Sequence, residues 1–129
     1  MKYLALLSSL LFLISCGPSH KDVEVQQLYD KVMEVHDEVM PKMSDINKLK
    51  KRIRKLETDD PAALALLKDL DDADEGMMSW MADFQKYKTL KDSSKTAKLA
   101  YLNSEKVRIQ NVSDKMKQSI SAAQNYLNE

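Results

Sequence analysis

Apolar residues recur at alternating spacings of three and four along most of this chain, and few glycines or prolines interrupt them. The first series consists of Val25, Leu28, Val32, Val35, Val39, Ile46, Leu49, Ile53 and Leu56. This is the heptad spacing of helices that pack through one apolar seam. After residue 16, glycine occurs only at positions 17 and 76 and proline only at positions 18, 41 and 61, so turn signals are scarce. The pattern therefore predicts an all-α fold.

Two further apolar seams follow the first one. Between them, Asp60 followed by Pro61 has the form of a helix N-cap with proline at the first helical position. The second seam consists of Ala63, Leu66, Leu70, Ala73, Met77, Trp80, Phe84 and Tyr87, and the third, less regular seam of Leu99, Leu102, Ile109, Val112, Met116, Ile120, Ala123 and Tyr126. We therefore expect an antiparallel three-helix bundle with coiled-coil-like seams, with helices at about 22–57, 61–88 and 95–127.

Pro41 lies inside the first predicted helix. Proline cannot donate the backbone hydrogen bond of its turn, and its ring clashes with the carbonyl four residues earlier, at Asp37. We expect a kink or a break near Asp37. The apolar pattern continues in register on both sides of Pro41, which favours a kink over two separate helices.

The N-terminus has the pattern of a bacterial lipoprotein signal. Lys2 precedes the apolar stretch 4–14, and the tetrapeptide Leu-Ile-Ser-Cys then ends at Cys16. As a helix the stretch would cover only about 16 Å of a hydrocarbon core of about 30 Å, so it is too short to span a bilayer. We predict cleavage between Ser15 and Cys16, which removes residues 1–15 and leaves residues 16–21 as a lipidated tether.

Cys16 is the only cysteine, so the chain cannot form an internal disulfide. The resemblance to bacterial lipoproteins implies that the thiol receives a diacylglycerol and that the new amine is acylated, for example with palmitate. Each buried methylene contributes about 0.8 kcal/mol, so such a lipid would hold the protein on the bilayer. Gly17, where aspartate would retain a lipoprotein in the inner membrane, favours the outer membrane; the side that the protein faces stays open.

The strongest charge feature is a basic run near the end of the first predicted helix. It consists of Lys48, Lys50, Lys51, Arg52, Arg54 and Lys55. Its position suits the negative end of the helix dipole, and a hairpin would place it beside the acidic stretch 69–75 of the second helix. Contact with anionic lipid headgroups or cell-wall polymers is the alternative. The whole chain has 20 Lys and Arg against 20 Asp and Glu, a balance that argues against nucleic acid as the main partner.

Methionine is concentrated at two places that a hairpin would bring to one level. With the expected pairing, Met40 faces Met78, Met43 lies near Met77, and His36 approaches Met81. Thioethers with one imidazole are ligands that suit a soft ion such as Cu(I). The alternative is that flexible methionine side chains fill the core around Pro41 and Trp80.

Two segments have distinctive sequences: residues 36–43, His-Asp-Glu-Val-Met-Pro-Lys-Met, and residues 72–81, Asp-Ala-Asp-Glu-Gly-Met-Met-Ser-Trp-Met. They resemble a family of small bacterial helical lipoproteins of unknown function, some of which carry the name "viral A-type inclusion protein". The resemblance implies a helical lipoprotein and transfers no catalytic role. Gly76 stands where alanine would suit the helix better.

The motifs of common enzyme classes do not occur in the sequence. It contains no glycine-rich phosphate loop, no HExxH and no GxSxG. We therefore expect a non-enzymatic helical interaction or scaffold module that is anchored to the envelope and contacts another envelope protein or a second copy of itself. The alternative is a lipoprotein that binds a small ligand or Cu(I) through the methionine and histidine cluster.

Overall fold

The computed structural model describes residues 20–128. Its elements are α1 (His20–Val39), α2 (Lys42–Arg54), α3 (Pro61–Phe84), a 3₁₀ helix (Gln85–Leu90) and α4 (Lys95–Asn128). No strand occurs among these residues. Since α1 and α2 follow one another along one side, three helical segments pack together, which confirms the predicted all-α bundle.

Ion pairs between the helices define an up-down-up arrangement. Glu24 of α1 pairs with Lys95, near the start of α4. Glu38, near the end of α1, lies 2.7 Å from the Nζ atom of Lys117, farther along α4. The two helices are therefore parallel. Tyr29 of α1 lies against Phe84 at the end of α3, whereas Lys50 of α2 pairs with Asp71 nearer its start, so α3 runs in the opposite direction.

The core follows the heptad pattern closely. In the first seam, five residues that lie seven positions apart are buried, namely Val25, Val32, Val39, Ile46 and Ile53. The same spacing recurs in α3 at Ala63, Leu70 and Met77, and in α4 at Leu102, Ile109, Met116 and Ala123. Leu56, which the sequence assigns to the first seam, is half exposed, because α2 ends at Arg54 and the chain turns through Glu57 at a positive φ of 47°.

The predicted first helix, 22–57, is two helices, α1 and α2, and not one kinked helix. The interruption at residues 40–41 lies a few residues after the expected position at Asp37. Pro41 keeps right-handed helical angles, with φ −62° and ψ −24°. The N–H groups of Met43 and Ser44 donate to the carbonyls three residues earlier, each at 3.2 Å. The turn is thus tightened toward 3₁₀ geometry. Val39 and Ile46 are buried on either side of it, so the seam keeps its register.

Other boundaries differ from the predicted ones by a few residues. The predicted helix 61–88 ends as an α-helix at Phe84 and continues as the 3₁₀ helix Gln85–Leu90. Residues 20–21, expected in the tether, belong to α1. The predicted signal peptide, the lipidation position Cys16 and the rest of the tether lie outside the described residues. Asp60 is the expected N-cap: its Oδ1 accepts from the Ala62 N–H at 3.0 Å.

The third seam is irregular because polar residues occupy buried positions of α4. Glu105, Ser113 and Ser119 are all buried. Glu105 is paired with Arg108, whose Nη1 lies 2.9 Å from its Oε1. Ser119 donates its hydroxyl to the Met116 carbonyl at 3.1 Å. The apolar spacing of the sequence therefore does not predict that these positions are buried.

We predict that Gly76→Ala stabilises the bundle. Gly76 is helical, and a Cβ built there meets only the Val112 Cγ2 atom, at 4.0 Å, which is an ordinary van der Waals contact. Alanine avoids the backbone entropy that glycine loses in a helix, so the free energy of unfolding should rise by about 1 kcal/mol. Thermal or urea unfolding measures this, and an unchanged or lower stability would show that the position cannot accept the methyl group.

Candidate functional site

Aromatic rings fill the space between α1 and α3. We define the aromatic cluster as Tyr29, Trp80, Phe84, Tyr87 and Tyr101. The rings of Trp80 and Phe84 stack with centroids 4.7 Å apart, and those of Tyr29 and Tyr87 lie 5.2 Å apart. Rings this close contribute packing energy beyond the area they bury. The cluster thus joins α1, α3, the 3₁₀ helix and α4 at the end of the bundle where the chain enters α1.

His36 packs against the aromatic cluster. Its ring centroid lies 5.5 Å from that of Trp80, and its side chain is only 15% exposed. Its Nδ1 atom lies 2.8 Å from the Asp37 carboxylate. His36 therefore has one ring nitrogen, Nε2, that is free of this contact. The sequence pairing predicted that His36 approaches Met81 of α3. The α3 residue against which its ring packs is Trp80.

The methionines differ widely in burial. Met77 is fully buried in the core, and Met43 and Met81 are half-buried against it. Met40 and Met78, in contrast, are 37% and 54% exposed. The predicted cluster is therefore divided between the core and the surface.

The two exposed methionines lie on the same side of the bundle. Met40 is one helical turn beyond His36, which touches α3. Met78 is two turns beyond Asp71, which pairs with Lys50 of α2. Both side chains thus border the junction of α1–α2 with α3. We call Met40, Met43, Met78 and Met81 the methionine face.

A thioether site on this face would depend on the methionines and His36 alone. Among the described residues, no three His, Cys, Asp or Glu side chains come together in a group that could hold a metal ion. That finding leaves the predicted Cu(I) site untested, since methionine is not among those residue types.

Part of the basic run has the predicted interhelical partner. Lys50 pairs with Asp71, and the Arg54 Nη2 lies 3.8 Å from the same carboxylate. Asp72 points the other way, toward Lys115 of α4 at 3.7 Å. The acidic stretch is therefore shared between two helices. Three further members of the run, Lys51, Arg52 and Lys55, are exposed, and no ion pair within residues 23–128 involves them.

A second group of lysines, which the sequence pattern did not predict as a site, lies at the opposite end of the bundle. This basic end consists of Lys86, Lys88, Lys91, Lys95 and Lys98, with Asp92 as the only acid in the range 86–98. The lysines are spread over the 3₁₀ helix, a turn and the start of α4. In the sequence these lysines are notable only for their density. That they share one end of the bundle depends on where the chain reverses direction.

A surface groove of about 400 Å³ opens at the basic end. Its walls are Tyr87, Lys88, Leu90, Lys91 and Lys98. Leu90 and Tyr87 are half-buried and give the groove an apolar side, while the lysines form its rim. Burial raises the pKa of the Tyr87 hydroxyl, so that hydroxyl stays neutral near neutral pH.

Asp83 joins the end of α3 to α4. The Arg108 Nη2 donates to its Oδ2 at 2.8 Å, and the Tyr101 hydroxyl donates to its backbone carbonyl at 3.3 Å. The hydrogen bond from Arg108 lowers the pKa of Asp83 and raises that of Arg108. Since Arg108 also holds the buried Glu105, one guanidinium connects α3 to the seam of α4.

Searches against protein-family models, curated proteins and solved structures found no match to this chain. The resemblance to small bacterial lipoproteins therefore stays a prediction. None of the helices within residues 20–128 is long and apolar enough to cross a membrane.

We predict that Tyr126→Phe raises the pKa of Asp60. The Tyr126 hydroxyl donates to Asp60 Oδ2 at 2.7 Å, and this bond is the main cause of the lowered pKa of Asp60; the Ala62 N–H adds to it. A carboxyl whose pKa is lowered by folding stabilises the fold above its unfolded pKa and loses that contribution as pH falls through its folded pKa. The variant should therefore lose less stability on acidification below about pH 4.

NMR titration of the Asp60 carboxyl carbon measures the shift, and urea unfolding at acidic and neutral pH measures the linked stability. The pKa should stay partly lowered in the variant, because the Ala62 hydrogen bond remains. An unchanged pKa of Asp60 would mean that the hydrogen bond from Tyr126 does not form in solution.

Proposed function

We propose that this protein is a lipid-anchored bacterial envelope protein that acts as a non-enzymatic helical interaction module. Cys16 would carry the lipid, and α1 begins only four residues later, at His20. A tether this short would keep a rigid bundle close to the membrane surface. The partner is another protein of the envelope or a second copy of this chain.

The observation that carries the interaction role is the exposure of Met40 and Met78. Helical spacing from His36 and Asp71 puts both on the side where α1–α2 meets α3. An aqueous bundle gains nothing from placing two large apolar side chains in water on one side. Methionine is flexible and polarizable, so it adapts to the shape of a partner surface. The methionine face is thus the surface that we assign to the partner.

We predict that Cys16→Ala releases the protein from membranes. Without the thiol no diacylglycerol can be attached, so no acyl chains would hold the protein on the bilayer. Fractionation of cells, with immunodetection of the protein in membrane and soluble fractions, measures this. Membrane attachment as complete as that of the wild type would show that Cys16 is not the anchor.

We predict that the double variant Met40→Ser, Met78→Ser weakens cross-linked capture of the partner from native envelopes by about tenfold or more, since each serine removes apolar contact area. The matched control is Leu56→Ser with Val107→Ser. Those side chains are 50% and 61% exposed; Leu56 follows the end of α2, and Val107 is on α4. Equal capture by both double variants would contradict the assignment of this face.

A second double variant, Met40→Leu with Met78→Leu, separates the interaction role from Cu(I) binding. The specific observation behind the Cu(I) alternative is that His36 packs against Trp80, since antiparallel helical spacing from this contact brings Met40 near the level of Met78. Leucine keeps the apolar surface and removes the sulfur, so an interaction role tolerates it and a soft-metal site does not. Unchanged partner capture together with unchanged Cu(I) affinity in a chelator competition assay would exclude these sulfurs as ligands.

A further inference from the structure

The chain enters the bundle at its basic end. Glu24, in the second turn of α1, pairs with Lys95 at the start of α4, so the first residues of α1 and of α4 lie side by side. The segment that holds Cys16 therefore joins the bundle at the same end as the 3₁₀ helix Gln85–Leu90. Four residues span at most about 14 Å, so a lipid on Cys16 would hold this end near the bilayer.

The stretch 86–98 at this end is strongly positive. Residues 86–98 contain five lysines and one aspartate, although the chain as a whole is balanced. Lys86 pairs with Asp83 at 3.3 Å, and Lys95 pairs with Glu24. The remaining three, Lys88, Lys91 and Lys98, have no ion-pair partner within residues 23–128 and surround the groove. Their charge is available to an external anion.

The groove combines this charge with an apolar wall. Leu90 and Tyr87 line it between the three lysines. A surface with basic side chains around a small apolar element matches a bilayer of anionic lipids, which presents phosphates above the start of the acyl region. The chemistry of the groove and its position beside the proposed anchor thus both favour an anionic bilayer as its ligand.

The other basic run is too far away for the same role. Lys48 lies about 40 Å along the helix axis from His20, because each helical residue advances the chain by about 1.5 Å. Electrostatic attraction to a surface is screened over about 8 Å at physiological salt. A bundle held upright by its N-terminal end would keep Lys51, Arg52 and Lys55 outside that range.

We propose that the basic end, through Lys88, Lys91, Lys98 and Leu90, docks on anionic phospholipid headgroups beside the lipid anchor and orients the bundle. This inference rests on the proposed anchor. Attachment would be supplied by the acyl chains, and orientation by the lysines. The methionine face would then lie on the side of the upright bundle, clear of the membrane.

The test uses the mature chain from residue 16 with Cys16→Ser, so that acyl chains make no contribution. Its probes are phosphatidylcholine vesicles with and without about one third phosphatidylglycerol. We expect binding to the anionic vesicles alone, and loss of this binding at high salt, where the screening length falls to about 3 Å. Lys88→Glu, Lys91→Glu, Lys98→Glu should weaken it by at least about a hundredfold, since each basic residue contributes about 1 kcal/mol near an anionic surface and each new carboxylate adds repulsion.

The matched control is the triple variant Lys51→Glu, Arg52→Glu, Lys55→Glu, which makes the same change in net charge at the far end. It should keep most of the binding. Circular dichroism and thermal unfolding of both variants check that the fold is intact. Equal losses in the two triple variants, or no binding of the parent chain to anionic vesicles, would overturn the proposal.

The outcome is separable from that of the anchor. Membrane release by Cys16→Ala with no vesicle binding by the basic end would support the anchor and exclude lipid docking. If the Lys88, Lys91 and Lys98 substitutions instead abolished cross-linking to a protein partner, the groove would be a site for an acidic protein, and lipid docking would again be wrong.

Discussion

Heptad-spaced burial along α4 is the constraint on which the rest of the bundle depends, because α4 packs against α1, α2 and α3. Its seam includes the carboxylate of Glu105, which is costly to bury unless it is paired. Arg108 supplies the pair and at the same time binds Asp83 of α3. A slip of α3 along α4 would break this connection, so the network fixes their register.

The aromatic cluster determines what the outside of the bundle presents. Large rings between α1 and α3 occupy the interior at that level, and His36 completes the layer against Trp80. Met40 and Met78 are left at the border of the same junction. The two ends of the bundle also differ: one carries the basic end and the entry of the chain, and the other carries the Asp60–Tyr126 hydrogen bond and the basic run. Under the proposed function, this difference between the two ends determines which end of the bundle would face the membrane.

Repeating features were predictable from the sequence, and features that depend on chain reversal were not. The three seams and the Asp60 N-cap follow from local spacing and chemistry, and the structure contains them. The burial of Glu105 was not predicted because a glutamate in a helix is expected at the surface unless the packing of the neighbouring helices is known. The basic end was not predicted because its lysines come to lie together only through the 3₁₀ helix, which replaces the predicted last turn of α3. The divided burial of the methionines likewise depends on how α1–α2 and α3 meet.

Both proposals depend on the lipid at Cys16, and the intact mass of the protein purified from its native membranes tests that lipid most directly. The account predicts a chain that begins at Cys16 and carries the added mass of a diacylglycerol, with a further acyl group on the new amine. A chain that retains residues 1–15, or one that begins at Cys16 without added mass, would contradict it.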